Sequence, residues 1–349
     1  MANPSRNVVP KSGRPKTVTL EDVAKHAGVG TMTASRAIKG TGYVAAATKE
    51  KVLRSADALN YTTNFAARSL ATGKTGIIAV MCGPLNELHH VNVVHLLETE
   101  INKSGYQMRL LHTKTDLKEI MHATRATSAD GVLAYGVQDL SDEFEFLNSK
   151  LLQHCVFIDT YEHPGADYVR IDLRGAVEEA VTLMLSSGRP RIAYAGYSNG
   201  VSYQEGSAVE DRLITFVASM QRAGREIEYI NAWRDLPYTG RIQALRRYFE
   251  ENGCPGGILC LHDEIATLIY RALRDCGRRI PEDTLLVGCD GLPFMECYDP
   301  PLSVVAQPMA EVCATAWQFL KARMADSRIP LQQKTFEAPL IVRESLNFD

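Results

Sequence analysis

The pattern of apolar and polar positions changes character near residue 75. Between Val18 and Gly73 it shows short helical repeats built from small residues, whereas from Gly76 onward short apolar runs alternate with amphipathic helical repeats. The second pattern predicts parallel sheets with helices on both faces, because each buried strand is followed by a crossover helix. The chain is therefore predicted to combine a small all-α segment with a larger α/β body.

The body is predicted to contain about ten strands in two runs, which divide near Asp172. The predicted strands include 77–82, 107–113, 130–136, 155–160, 168–172, 191–196, 257–261 and 283–290, and the predicted helices include one ending near 127 and those at 91–103, 143–151, 174–187, 209–223 and 263–276. Ligands of parallel sheets bind outside the carboxyl ends of the strands, so those ends nominate binding residues.

Two short helices joined by a glycine-containing turn are predicted at the start of the all-α segment. The first covers Leu20–His26, and Thr19 is its predicted N-cap because a hydroxyl can accept a free amide of the first turn. The second runs from residue 31 to 38. A left-handed turn at Gly42 precedes a third helix, which Thr48 is predicted to lead into.

The outward face of the second helix carries chemistry suited to DNA. Its side chains are Thr31, Met32, Thr33, Ser35 and Arg36. Short hydroxyls can reach phosphates and base edges in a major groove, and an arginine can donate twice to guanine. A small amphipathic hairpin inside a protein core is the alternative interpretation.

Charge divides the chain at the same place. Residues 1–75 carry a net charge of +8 and residues 76–349 one of −11, so the total of −3 conceals a basic segment on an acidic body. A polyphosphate attracts the first and repels the second. Residues 1–17 are basic and lack the apolar core of a signal peptide, so we expect a disordered basic arm. No apolar run is long enough for a membrane span, so we expect no membrane partner.

The cysteines and histidines do not predict a metal site. The eight cysteines are scattered and form no CxxC pair, which favours reduced thiols in a cytoplasm over a disulfide or zinc framework. His89, His90 and His95 have no spacing typical of metal ligands. We therefore expect no metal and no cofactor, and a cytoplasmic location, at the nucleoid when the protein is bound to DNA.

Two further motifs imitate enzyme signatures. Residues 196–200 match G-x-S-x-G with Ser198 as the nucleophile, but His262 is the single histidine after it, and the next helix is predicted only near Val209. A nucleophile elbow leads directly into a helix, so a serine hydrolase is the weakest alternative. Residues 40–45 imitate a dinucleotide fingerprint, yet they follow a helix and not a strand.

The all-α segment resembles the headpiece of the LacI/GalR family of bacterial transcription regulators. The match consists of T-L-E-D-V-A-x-x-A-G-V, T-x-T-A-S-R, G-Y-V, T-x-x-x-V, L-N-Y and A-A-R-S-L, and a looser resemblance continues to about Glu344. It implies a helix-turn-helix that binds operator DNA. Thr19 and Tyr43 join the outward face of the second helix as expected DNA contacts.

The same resemblance implies a hinge helix that folds on DNA against its dimer partner. Asn64, Ala67 and Leu70 are its expected DNA contacts, and Leu70 would wedge between base pairs of the minor groove. Alone, such a helix is too short to be stable in water. An ordinary linker helix is the alternative.

The resemblance also implies the domain organisation. We expect an arm at 1–17, a helix-turn-helix headpiece at 18–62, a hinge at 63–75 and an effector-binding and dimerisation domain at 76–349. The last is expected to be a two-lobed, periplasmic-binding-protein-like α/β fold. One lobe would comprise about 76–172 and 308–337, and the other about 173–307 and 338–349.

Effector-binding residues are expected between the lobes. By the resemblance these are Arg212, Asp263 and Asp290, and an arginine between two acids suits a polyhydroxylated ligand. An interlobe salt bridge, a helix N-cap and a capping or hinge role are the respective alternatives. Tyr161, after a predicted strand, is a further candidate.

The chain departs from the family pattern at His89 and His90. They stand where members place apolar or aromatic residues, so they favour a sugar acid or a phosphorylated sugar, as for a regulator of gluconate or sugar-acid utilisation. Two exposed loop histidines are the alternative.

The sequence thus predicts a dimeric, ligand-responsive repressor that binds a pseudo-palindromic operator on double-stranded DNA. Its expected effector is a small carbohydrate-like molecule. A DNA-binding protein with a vestigial effector pocket is the second hypothesis.

Overall fold

The computed structural model describes residues 18–40, 42–61, 74–83, 85–112, 129–136, 154–159, 165–197 and 211–347. The chain separates into two units at Thr75. We call residues 18–61 the headpiece and the described residues from Gly76 onward the body.

The headpiece consists of three helices, α1 Leu20–His26, α2 Thr31–Lys39 and α3 Ala46–Ala58. They close on a core of small side chains, which lets short helices approach each other closely. The fully or nearly buried members are Val23, Ala24, Ala27, Ala34, Ala37, Val52 and Ala56. Helix α3 begins two residues before the predicted Thr48. Its N-cap is Ala45, which makes no side-chain capping hydrogen bond.

The described part of the body contains twelve strands. They are β1 Ile77–Cys82, β2 Gln107–His112, β3 Gly131–Tyr135, β4 Cys155–Ile158, β5 Asp167–Asp172, β6 Ile192–Gly196, β7 Glu228–Asn231, β8 Gly257–Cys260, β9 Leu285–Asp290, β10 Ser303–Ala306, β11 Gln333–Glu337 and β12 Leu340–Ile341. Its helices are α4 Leu88–Lys103, α5 Arg174–Ser186, α6 Asp211–Arg222, α7 Tyr238–Asn252, α8 Asp263–Asp275 and α9 Met309–Ala325.

The strands form two six-stranded sheets, which define two lobes. Lobe 1 holds the order β11-β5-β4-β3-β1-β2, with parallel pairs throughout. Lobe 2 holds the order β12-β10-β9-β8-β6-β7, in which only the short β12 runs antiparallel. The predicted α/β class with two parallel-sheet lobes is confirmed.

The chain passes between the lobes three times. It leaves lobe 1 after β5, returns after β10, and leaves again between β11 and β12. The return is shown by α9, which packs on α4 and on β3, β4 and β5 of lobe 1. In each sheet the order reverses beside the first strand of the lobe, β1 or β6. Such a reversal opens a crevice at the carboxyl ends of the strands, where ligands bind.

Helix α4 begins three residues before the predicted Val91, so His89 and His90 lie in its first turn and not in a loop. His89 stands at four-residue intervals from the buried Val93 and Leu97, and residues with this spacing share one helix face. A histidine therefore continues the buried stripe of α4, and counting only apolar residues placed the start of the helix too late.

A buried ion pair fixes the return of the chain from α9 to β11. Arg323 donates to both carboxylate oxygens of Asp167 at 2.8 and 2.7 Å, and the two residues are 7% and 3% exposed. The same guanidinium donates to the carbonyls of Ser327, Ile329 and Pro330. Removing one partner would leave the other as an uncompensated buried charge.

We therefore expect Asp167→Ala to lower the free energy of unfolding of the body by about 3–5 kcal/mol. Urea titration followed by tryptophan fluorescence measures this, because both tryptophans, Trp233 and Trp317, lie in the body. Glu226→Ala, at an exposed loop carboxylate, is the control and should leave the transition in place. Equal shifts in the two variants would contradict the structural role of the pair.

Candidate functional sites

The headpiece presents one polar face from α2. Met32 is 70% exposed and Thr31 and Arg36 are exposed, while Thr33 and Ser35 are half-buried. The face exists because Ala34 and Ala37 take the inward positions of the same helix. Hydroxyls, a flexible thioether and one guanidinium thus project together, and this is chemistry that can contact base edges and phosphates.

Two further predicted DNA contacts, Tyr43 and Thr19, lie outside α2. Tyr43 follows the left-handed Gly42 and is 93% exposed. Thr19 caps α1 in a capping box, in which its hydroxyl accepts the Asp22 amide at 3.3 Å and donates to the Asp22 carboxylate at 2.7 Å. The Thr19 hydroxyl is therefore committed to the helix end. The predicted hinge contacts Asn64, Ala67 and Leu70 lie outside the described residues.

A cavity of about 330 Å³ lies between the two lobes at the carboxyl ends of their strands. This volume is within the range of small-molecule sites. Its lining residues are Gly83, Glu87, Leu88, His89, His90, Tyr135, Gly136, Asp159, Arg212, Arg234, His262, Glu264, Asp290, Leu292 and Gln307. Four of the predicted effector residues, His89, His90, Arg212 and Asp290, are among them.

A chain of polar contacts crosses the cavity from lobe 1 to lobe 2. The Tyr135 hydroxyl donates to the Asp159 carboxylate at 3.3 Å and lies 2.8 Å from Nε2 of His89. Nδ1 of His89 then lies 3.6 Å from Oδ1 of Asp290. Burial lowers the pKa of His89 to about 4, so this imidazole is neutral near pH 7. In this state His89 offers no positive charge to an acidic ligand.

His90 contributes less to the cavity. Its Nδ1 lies 3.6 Å from the Glu87 carboxylate, and its ring packs against the Cα of Gly83. Any side chain at position 83 would displace that ring, since a Cβ there would come within 2.7 Å of it. Glu87 also pairs with Arg234 of lobe 2 across the cavity mouth.

Arg212 projects from the first turn of α6 into the cavity wall. Its guanidinium donates to the Leu261 carbonyl at 2.6 Å and lies 3.9 Å from Oδ1 of Asp290. An interlobe salt bridge was the alternative to a ligand role. Both of these contacts lie within lobe 2, so they do not join the lobes.

Asp290 and Asp263 form a buried carboxyl pair. The Asp263 amide donates to Oδ2 of Asp290 at 3.2 Å, and the Leu292 amide donates to Oδ2 of Asp263 at 2.7 Å. Burial, followed by the proximity of the other carboxylate, raises the pKa of Asp263. Burial also raises the pKa of Asp290, against the opposing charge of Arg212. The pair therefore retains a proton to unusually high pH.

Asp263 does not line the cavity and is fully buried. Its Oδ1 fits against position 288 only because that residue is glycine, where a Cβ would stand 2.4 Å away. Asp263 is not the N-cap of α8 either, since His262 holds that position and its Nδ1 accepts the Ile265 amide at 3.3 Å. The proposed ligand contact at Asp263 therefore finds no support, and the residue supports Asp290 from behind.

Several cavity residues were missed by sequence reasoning. They are Glu87, Tyr135, Asp159, Arg234, His262, Glu264 and Gln307. Tyr135 and Asp159 stand at the ends of β3 and β4, so the rule that nominates strand ends could have found them. Tyr161 and Ser198 lie outside the described residues. His262 is committed to capping α8, and burial lowers its pKa to about 3.

Neither a metal cluster nor a membrane helix emerges from the described part of the chain. Within it, no three histidine, cysteine or acidic side chains are grouped so that they could hold a metal ion. No helix there combines the length and apolar character needed to cross a bilayer.

Comparisons with known proteins agree with both units. Residues 19–64 match the model of bacterial regulatory proteins of the lacI family, and residues 181–346 match that of the periplasmic binding protein-like domain. The HTH-type transcriptional repressor PurR of Photobacterium profundum is 27% identical over 335 residues, which cover 94% of this chain and 98% of PurR. The ribose operon repressor of Halalkalibacterium halodurans is 27% identical over 332 residues, which cover 94% and 96% of the two chains.

Solved structures show the same fold. A Lac repressor dimer bound to operator and the anti-inducer ONPF superposes with a TM-score of 0.78 at 21% identity, covering 95% of this chain and 99% of that one. The complex of the transcriptional regulator CelR with cellobiose gives a TM-score of 0.62 at 25% identity, with 95% and 100% covered.

The fold and the headpiece define a class: a DNA-binding transcriptional regulator with a periplasmic-binding-protein-like body. The chain belongs to the lacI family of bacterial regulatory proteins. This confirms the family predicted from the headpiece motif, and the protein is a regulator and not an enzyme.

The carboxyl pair generates a pH prediction. Where folding raises the pKa of a carboxyl above its unfolded value of about 4, the free energy of unfolding falls as pH rises toward the folded pKa. Asp263→Asn removes this loss, and it relieves Asp290 as well. We therefore expect the unfolding free energy of the variant, relative to wild type, to increase from pH 5 to pH 8.

Urea titrations at several pH values measure this difference between variant and wild type. The buried neutral histidines contribute equally to both proteins, so their opposing pH dependence cancels. Asp235→Asn, at an exposed carboxyl outside the cavity lining, should give a profile parallel to wild type. A parallel profile for Asp263→Asn would show that no shared proton is buried there.

Proposed function

We propose that the protein is a dimeric repressor whose affinity for a pseudo-palindromic operator is controlled by a small carbohydrate-like effector bound between the lobes. The interlobe cavity, lined by hydrogen-bonding side chains from both sheets, is the observation that carries the effector half of this proposal. A regulator of this kind acts on the chromosome, so we place it in the bacterial cytoplasm.

The DNA-binding half rests on the polar face of α2 and on charge. The segment 1–75 carries +8 while the rest of the chain carries −11, so the phosphate backbone orients the protein with its headpiece toward DNA. Two headpieces of a dimer would read two half-sites. The hinge with Leu70 would bend the centre of the operator by inserting an apolar wedge.

The relatives and structural neighbours support dimerisation, repression and the class of effector. One structural neighbour is a Lac repressor dimer on its operator, another is a complex with cellobiose, and one relative is a ribose operon repressor. From these we infer dimerisation, repression and a carbohydrate-like effector for this chain.

The effector would act through contacts that join the lobes. Glu87 pairs with Arg234 at the cavity mouth, and His89 faces Asp290 inside it. A molecule bound among these residues would alter how the lobes close. It can shift DNA affinity only by as much as it distinguishes the two closure states.

The vestigial-pocket alternative predicts a collapsed or sealed site. The cavity is instead about 330 Å³, and His89 and Gln307 retain buried polar atoms without hydrogen-bond partners in it. Buried polar atoms are costly unless a partner satisfies them, which favours a site that a ligand completes.

Arg36→Ala tests direct readout of DNA. We expect it to weaken operator binding by about 1–3 kcal/mol and to relax the preference at one base pair of each half-site, because a bidentate contact to guanine is lost. Selection of bound duplexes from a random library with full-length protein yields the operator, and titration of matched sites measures the loss.

Arg54→Ala is the control for the loss of one positive charge. Arg54 is exposed on α3 and its nearest ionic partner is Glu50 at 3.8 Å. It should weaken all duplexes alike and leave base preferences intact. If Arg36→Ala behaves in the same way, Arg36 contacts phosphate and not a base.

Asp290→Ala tests the effector half. The variant should bind operator as wild type does but fail to respond to any small molecule that stabilises wild type in a thermal-shift screen of carbohydrates. Its carboxylate lines the cavity, and the residues that line the cavity include none from the headpiece. An unchanged release of operator by that molecule would remove Asp290 from the effector site.

A further inference from the structure

We propose that the effector is a hydroxylated molecule carrying a protonated amine, and that its ammonium group binds at the Asp159 carboxylate. This inference rests on the proposed effector site and names the charge of the molecule that fills it. It departs from the acidic or phosphorylated ligand that the histidine pair favoured.

Asp159 is the carboxylate of the cavity that no cation balances among the residues that the structure describes. It directly follows β4 in a left-handed conformation with φ of 53°, and it lines the cavity. Tyr135 is the described residue that donates to it, at 3.3 Å. A ligand that covers Asp159 removes water from a negative charge, and this is costly unless the ligand supplies a positive one.

The other carboxylates of the lining already have cationic partners. Glu87 pairs with Arg234, and Glu264 pairs with Arg241 at 2.8 Å. Asp290 lies 3.9 Å from Arg212. Both guanidiniums that line the cavity thus already lie near carboxylates, which lowers the electrostatic gain that an anionic ligand would find there.

Two buried cavity atoms without a hydrogen-bond partner, Nδ1 of His89 and Oε1 of Gln307, are acceptors. With the Tyr135 hydroxyl proton directed at Asp159, we assign the His89 tautomer in which Nε2–H donates to the Tyr135 oxygen, so that Nδ1 of the neutral ring carries a lone pair. That Nδ1 is buried without a hydrogen-bond partner and lies 3.6 Å from Oδ1 of Asp290, an oxygen that already accepts a hydrogen bond. The Gln307 amide nitrogen donates to Asp290 at 3.0 Å, which leaves its buried Oε1 without a donor.

A molecule with several donors satisfies this set. Hydroxyl groups can donate to His89 and Gln307, and an ammonium group offers three donors and no acceptor.

The test compares matched sets of ligands that differ only in charge. Isothermal titration of the full-length protein at pH 7 would use glucosamine, glucose and gluconate, and the corresponding galactose set of galactosamine, galactose and galacturonate. We expect an amine to bind about tenfold or more tightly than its neutral counterpart, as a charge-assisted hydrogen bond would provide. We expect the acids not to bind.

Asp159→Asn assigns the preference to one residue. Asparagine tolerates the left-handed backbone and still accepts the Tyr135 proton, so the variant should fold. The advantage of the amine over the neutral sugar should fall to about one. Asp326→Asn, at a carboxylate of lobe 1 outside the cavity lining, should leave the advantage unchanged.

Three results would overturn the inference: equal affinities for the amine and the neutral sugar, a preference for the acid, or no binding by any of the six compounds. An amine preference that survives in Asp159→Asn would also reject it. Operator selection with the same preparation is independent of these outcomes, so failure here is distinguishable from failure of the proposed regulator function.

Discussion

The buried carboxylate of Asp290 connects several separate parts of the body. It accepts the amide of Asp263 at the start of α8 and the side chain of Gln307 at a crossing between the lobes. It lies 3.9 Å from Arg212 and 3.6 Å from His89 of lobe 1. A helix start, a crossing and the opposite lobe therefore all contact one carboxyl group. Burial makes the charged form of this group energetically unfavourable.

Under the proposed function, this arrangement would let the cleft act as a switch. Among the described residues the two lobes share three chain crossings and the ion pair of Arg170 with Asp211, and across the cavity they meet through His89–Asp290 and Glu87–Arg234. The contacts across the cavity are polar, so their strength depends on what occupies it. A ligand that supplied donors between the lobes would change the free energy of closure, which is the variable that the proposed hinge would report to DNA.

The fold class and the DNA-binding headpiece could be predicted from local patterns. Period-two and helical repeats reveal strands and crossover helices, and the small residues of α1 and α2 reveal a tight helical pair. His89 shows the limit of this approach. Its polar side chain interrupts the run of apolar residues, although it continues the buried stripe of α4, and its burial keeps the imidazole neutral near pH 7.

The sequence by itself determined the family, the parallel α/β body, the outward face carrying Arg36 and the division of charge, because each depends on residues close together in the chain. The tertiary structure decided which side chains meet in the cavity. Tyr135, His89 and Asp290 are separated by 46 and more positions, and only the packing of two sheets places their polar atoms in one chain of contacts. The neutral state of His89 and the missing cation at Asp159 follow from burial and proximity, which a linear pattern does not encode.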